Sequence, residues 1–141
     1  MYCGTGTIGI YLSKYVKKIY GIEIVEDAII DAKYNAEINN VKNIDFFCGD
    51  LKNTFQSDYF KKIEKPDVVI IDPPRPGLHP TAVNEIVKLS PSKIIYVSCN
   101  PSTQARDIKL FIENKYLAKD IQPLDMFPHT PHIESIITLK K

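Results

Sequence analysis

The sequence predicts a doubly wound α/β domain over residues 1–141, its sheet mostly parallel, with an antiparallel strand at the C-terminal edge and a truncated first strand. Three observations predict it. Short β-branched runs alternate with stretches of helical spacing, the pattern of parallel strands joined by crossover helices. The central runs are apolar from end to end, as strands covered on both faces are. Four strand ends carry Glu23, Asp50, Asp72 and Cys99, and in open α/β sheets ligands bind along the carboxyl ends of the strands.

A chain of 141 residues can bury a real core without staples, and 44% hydrophobic with 25% charged residues is ordinary for a globular protein. No run reaches the length of a membrane span, and no signal-peptide pattern opens the chain. A cytoplasmic monomer that does not engage a membrane is therefore expected. Cys3, Cys48 and Cys99 are odd in number, far apart and without a Cys-x-x-Cys pair, which argues against a disulfide framework or a zinc knuckle. Lysine and arginine total 18 against 17 acids, a net charge of +1, so composition carries no nucleic-acid signature. Any grip on RNA has to come from elsewhere.

The chain opens on Cys3-Gly4-Thr5-Gly6-Thr7-Ile8-Gly9, a glycine-rich turn leading into an apolar helical pattern at Ile8, Ile10, Leu12 and Tyr15. Its glycines let backbone approach a ligand, making Gly4, Gly6 and Thr7 candidates for holding a cofactor. Such a loop normally follows a strand, and a strand needs about five residues, whereas only Met1 and Tyr2 precede Cys3. The leading strand is thus expected to be missing. Residues 19–24 read as a strand. Glu23 lies about 20 residues past the loop, where a carboxylate can accept the ribose hydroxyls of an adenosine-containing cofactor. Val25, Ala28, Ile29, Ala32 and Ala36 mark a helix that stops near Asn39-Asn40. Residues 44–48 form the next strand. Asp50 beyond it suits either an adenine amino group or a cap on the following turn. Residues 53–65 read as an irregular helix.

Asp67–Asp72 is the clearest central strand, with four consecutive β-branched residues between acids. It enters Asp72-Pro73-Pro74-Arg75-Pro76-Gly77, where three prolines in four positions hold Asp72 and Arg75 on a stiff loop. A helix follows through Ala82, Val83, Ile86 and Val87. Residues 93–97 are then a buried strand that delivers Ser98-Cys99-Asn100-Pro101, and Pro101 forces the strand to end there. Cys99 is either a small buried hydrophobe or a nucleophile. Ser102 or Thr103 is expected to cap a helix with an apolar stripe of Ala105, Ile108, Phe111 and Ile112. Residues 117–123 form a strand, residues 125–132 a loop, and residues 133–139 the last, edge strand. His129 and His132 have no third ligand at zinc-like spacing, so no metal is expected.

Five ordered motifs, Tyr2-Cys3-Gly4-Thr5-Gly6, Gly21-Ile22-Glu23, Asp72-Pro73-Pro74-Arg75, Ser98-Cys99-Asn100-Pro101 and His129-Thr130-Pro131-His132-Ile133-Glu134, resemble the S-adenosylmethionine-dependent RNA 5-methyluridine methyltransferases. That family acts on uridines in ribosomal or transfer RNA. The resemblance spans the family's Rossmann-like catalytic domain, without the upstream RNA-binding segments, commonly an oligonucleotide-binding barrel. It implies S-adenosyl-L-methionine as cofactor, an RNA substrate, Tyr2, Glu23, Asp50 and Asp72 as cofactor contacts, Cys99 as nucleophile and Glu134 as general base. The pattern departs at Thr7, where some relatives have asparagine, and before Tyr2, where Met1 replaces the family's usual aspartate and leucine.

The implied chemistry asks for these residue types. Carbon 5 of uracil is a poor nucleophile until a thiolate adds to carbon 6, and the proton on carbon 5 must later leave to a base. Asp72 and Arg75 can orient the uracil and stabilise charge on its carbonyl oxygen, and Phe127 can stack on an unstacked base. The alternatives are an inactive catalytic-domain fragment and a nicotinamide-dependent oxidoreductase. The second leaves Asp72, Cys99 and Glu134 without a role.

Overall fold

A computed structural model describes residues 1–58, 60 and 65–141. Helices and strands alternate along it, and the chain divides into two compact units, Met1–Lys62 and Ile63–Lys141.

In the first unit, the glycine-rich turn leads to α1 (Thr7–Leu12) and a 3-10 turn (Ser13–Tyr15), then β1 (Ile19–Glu23), α2 (Glu26–Ile38), β2 (Ile44–Cys48) and α3 (Leu51–Gln56). β1 and β2 pair in parallel, with Ile19 opposite Ile44 and Glu23 opposite Cys48. α2 ends where the sequence suggests, with Asn39 as its C-cap and Asn40 in the left-handed region. Its face of Ile29, Ala32 and Ala36 is buried. The apolar pattern of α1 has a different outcome. The helix lasts six residues and buries none of them fully, and Tyr15 lies on the 3-10 turn, 66% exposed.

α3 begins at Leu51, two residues before the expected start, because Asp50 caps it. The rest of the helix expected over 53–65 falls partly outside the described residues.

The second unit is built on β3 (Val68–Ile71), α4 (Pro80–Leu89), β4 (Lys93–Ser98), α5 (Pro101–Glu113), β5 (Leu117–Leu124) and β6 (Glu134–Lys140). The strand order is β3-β4-β6-β5, with β3 and β4 parallel and β6 antiparallel to both its neighbours. The antiparallel last strand is therefore present but is inserted between β4 and β5, and β5 takes the rim. Burial explains the placement. β6 alternates buried and half-buried positions, with Ile137 and Leu139 inside, whereas β5 is exposed along nearly its whole length and carries Pro123, a residue confined to strand edges. α4 packs against α5, and Ile86, Ile94, Tyr96, Phe111, Tyr116 and Leu139 have no exposed surface.

Close packing decides one residue in the first unit. A Cβ on Gly21, in mid-β1, would lie 2.5 Å from Cδ1 of the Phe46 ring and 3.1 Å from Cys3 Sγ. β1 and β2 can hold that ring between them only without a side chain at position 21. Gly21→Ala should destabilise the chain by about 1–3 kcal/mol, the usual cost of overpacking. Thermal melts check it, and Phe46→Leu in the same chain should recover part of the loss.

Candidate functional site

Cys99 leaves β4 on a tight turn. Ser98, itself buried, accepts the Asn100 N–H on Oγ at 3.0 Å and donates to the Asn100 carbonyl at 3.1 Å, closing the backbone around the cysteine. The cap of α5 is Asn100, not Ser102 or Thr103 as the sequence suggests: its side-chain oxygen accepts the Ser102 N–H at 3.1 Å. Pro101 starts the helix because its missing N–H costs nothing at that position. Cys99 is half-buried.

Strand register brings two acids to the same end of the sheet. Ser98 pairs with Ser135 across β4 and β6, so the next residues along, Cys99 and Glu134, lie at one edge. Ile71 is level with Tyr96 across β3 and β4, and Asp72 follows it. Electrostatics agrees with this placement. Partial burial, helped by the Glu134 charge, raises the Asp72 carboxyl above its ordinary range, although the residue keeps contact with solvent. Phe127 is 53% exposed on the loop before β6, where Thr130 bonds back to its carbonyl through both N–H and Oγ1 at 2.9 Å.

The glycine-rich turn in the first unit is organised by Glu23. Its Oε2 accepts the Gly4 N–H at 3.1 Å, and its Oε1 accepts the N–H groups of Ile24 at 2.8 Å and Val25 at 3.1 Å. Cys3 N–H bonds to the Ile22 carbonyl at 3.1 Å, continuing a strand-like contact with β1. Tyr2, Gly4 and Gly6 have positive φ. A Cβ on Gly4 would meet nothing within 4 Å, whereas one on Gly6 would strike the Phe46 ring at 2.8 Å. Gly4 thus leaves open space beside backbone, and Gly6 serves packing. Thr7 opens α1, its hydroxyl 3.4 Å from that of Thr5. Asp50 caps α3, its Oδ1 accepting the Asn53 N–H at 2.9 Å.

The three thiols differ. Burial chiefly, with the Glu23 charge adding to it, pushes the Cys3 thiol up and disfavours its thiolate. Cys48 is exposed and lies 3.6 Å from the Ile24 carbonyl. A cavity of about 600 Å³ opens between α2 and β2, lined by Ala36, Val41, Ile44 and Phe46, and none of the candidate residues lines it.

The sequence pattern that defines the tRNA (Uracil-5-)-methyltransferases matches residues 1–141. The chain belongs to that family. Uncharacterized RNA methyltransferases of Bacteroides thetaiotaomicron and Enterococcus faecalis are 48% and 49% identical to it over 140 residues, covering 99% of this chain and 31% and 30% of theirs. The chain therefore spans about a third of the length of these relatives. Among solved structures, the tRNA (uracil-54, C5)-methyltransferase of Pyrococcus abyssi, crystallised with S-adenosyl-L-homocysteine, matches 99% of this chain and 33% of its own at 42% identity and a TM-score of 0.81. A precorrin-6y C5,15-methyltransferase of Geobacter metallireducens has a TM-score of 0.76 at 14% identity, which shows the shared fold alone.

This member of the family also has contacts from α5 that its sequence did not suggest. The apolar stripe expected on α5 is displaced: Gln104, Asp107, Ile108 and Phe111 are the buried residues, while Ala105 and Ile112 face outward. Gln104 donates to the Tyr96 carbonyl at 2.9 Å and the Ser135 carbonyl at 3.1 Å, tying the strand before Cys99 to the residue after Glu134. The available signal was the i, i+3, i+4, i+7 spacing of 104, 107, 108 and 111, disguised by two polar residues.

The raised Asp72 carboxyl has a stability consequence. The folded chain holds this proton to higher pH than the unfolded chain does, so stability falls as pH rises from the ordinary carboxylate range through the raised value. Asp72→Asn should raise the melting temperature at neutral pH, and the gain should fade below about pH 4, where an unperturbed aspartate is itself protonated. Melts of both chains across that range measure it.

Proposed function

We propose that residues 1–141 are the catalytic part of an S-adenosylmethionine-dependent RNA methyltransferase that methylates carbon 5 of a uridine in ribosomal or transfer RNA. The carrying observation is the placement of Asp72, Cys99 and Glu134 at one end of three adjacent strands, with Cys99 on a closed turn. Family membership and the likeness to the Pyrococcus abyssi enzyme support the substrate class.

The glycine-rich turn suits an adenosine-containing cofactor. Gly4 offers unfilled space beside its backbone, and Glu23, fixed by three backbone N–H groups, retains acceptor capacity on Oε2. Tyr2, Gly4, Gly6, Thr7, Glu23 and Asp50 would hold it. When bound, S-adenosylmethionine supplies an electrophilic methyl group.

The chain's own residues do the rest. The Cys99 thiolate adds to carbon 6 of uracil, forming a C–S bond and pushing the ring electrons toward carbon 5 and the carbonyl oxygen. Arg75 and Asp72 orient the uracil and stabilise that charge. Once carbon 5 carries the methyl group, the Glu134 carboxylate takes its proton. The electrons return to the ring and expel the thiolate. Phe127 stacks on the base that has been turned out of the RNA.

Two experiments test the reading. RNA carrying 5-fluorouridine should form a covalent adduct in the presence of S-adenosylmethionine, because fluorine cannot leave as a cation. Cys99→Ala should abolish the adduct, whereas Glu134→Gln should trap one on ordinary uridine RNA. An adduct that survives Cys99→Ala removes this cysteine from the mechanism. Separately, calorimetric titration with S-adenosylhomocysteine should show saturable binding that Glu23→Gln weakens roughly tenfold or more, the cost of about 1.5–3 kcal/mol for a charged hydrogen bond. Equal affinity would take Glu23 out of the cofactor site.

A further inference from the structure

The Asp72-to-Leu78 loop has little means of holding itself. Pro73, Pro74 and Pro76 have no N–H, so the loop makes few bonds of its own, among them Gly77 N–H to the Pro74 carbonyl at 2.8 Å. α5 provides the remainder. The Arg75 carbonyl accepts from Thr103 Oγ1 at 3.2 Å and Asn100 Nδ2 at 3.3 Å. Further along the helix, Arg106 Nη2 donates to the Pro76 carbonyl at 2.9 Å.

Asp107 is the centre of this arrangement. Its side chain has no exposed surface. Oδ2 accepts the Leu78 N–H and the Tyr96 hydroxyl, each at 2.7 Å, while Oδ1 accepts Arg106 Nε at 2.9 Å and Nη2 at 2.7 Å. The carboxylate thus bonds at once to the Arg75 loop, to the strand that delivers Cys99 and to its own neighbour on the helix. Gly77, at φ 79°, lets the loop come this close, since a Cβ there would lie 2.5 Å from Asp107 Oδ2 and 2.9 Å from Arg106 Nη2.

We propose that Arg106 and Asp107 are positioning residues that fix Asp72 and Arg75 relative to Cys99 by locking their loop to β4. This rests on the reading of Cys99 as nucleophile. Fold stability alone is a poor reason for such a pair. Only Asp107 is buried, the Arg106 side chain being 56% exposed, and a buried carboxylate repays its desolvation only with complete hydrogen bonding, whereas an apolar side chain at that position would pack without that cost. Here Asp107 Oδ2 holds the loop and the strand, while Oδ1 holds Arg106, which itself donates to the Pro76 carbonyl, so the pair's bonds yield a geometric result.

The test compares the unsubstituted chain with Arg106→Lys, which keeps the charge but loses the planar fork, with Gly77→Ala, which keeps both side chains but forces the loop off Asp107 Oδ2 and Arg106 Nη2, and with the control Tyr116→Phe. That control removes a buried bond to the Pro91 carbonyl, away from the loop. Amide hydrogen exchange at Gly77 and Leu78, thermal melts and the kcat of RNA methylation are measured. Both loop variants should remain folded, exchange faster at those two amides and lose about a hundredfold in kcat, the scale of a small misplacement of catalytic groups. Tyr116→Phe should lower the melting temperature without altering loop exchange or kcat. Unchanged exchange in Arg106→Lys, or faster exchange with undiminished kcat, would overturn the proposal, as would a kcat loss in Tyr116→Phe matching that of the loop variants. Absence of methyl transfer by the unsubstituted chain would defeat the functional reading instead, and amide exchange would still decide whether the pair holds the loop.

Discussion

Strand β4 is the constraint on which the second unit depends. It is paired on both sides, to β3 in parallel and to β6 antiparallel, and its inward residues Ile94 and Tyr96 have no exposed surface. A strand bonded along both edges cannot slip by one residue without turning its buried side chains outward. The position of Cys99 at its end is therefore set by the whole sheet. The Ser98–Asn100 turn then needs only two short hydrogen bonds to present the thiol.

Helix α5 extends that control to the loops. A helix of a mixed sheet ordinarily contributes an apolar face, and α5 does so through Ile108 and Phe111. Its amino-terminal half buries Gln104 and Asp107 instead, each with hydrogen-bond partners on neighbouring segments. Buried polar groups of this kind are tolerable because they are fully satisfied, and full satisfaction specifies one arrangement of the surrounding chain. The first unit uses a different device. Close approach of glycines to the Phe46 ring shapes β1 and the turn, and one carboxylate, Glu23, gathers three backbone N–H groups.

Much of the fold was legible because hydrophobic period survives without tertiary information. The strands at 19–23, 44–48, 68–71 and 93–98 and the helices at 26–38 and 80–89 follow the runs and stripes of the sequence closely. The misreadings cluster where a polar residue competes with the pattern. Asn100 outcompetes Ser102 and Thr103 as cap because the Pro101 ring already fits the first helical position. Gln104 and Asp107 occupy a buried stripe that counting apolar residues moves by one position.

By itself the sequence determined the α/β class, the family, and the chemical types at the strand ends, since each depends on local period, motif order or residue identity. Tertiary structure alone decided the rest. The insertion of β6 between β4 and β5 depends on which strand can bury both faces, a property of the assembled sheet. The hold of α5 on the Arg75 loop joins residues about 30 positions apart through single hydrogen bonds. Such bonds leave no periodic trace in a chain, because their geometry exists only after the helix and the strands have packed.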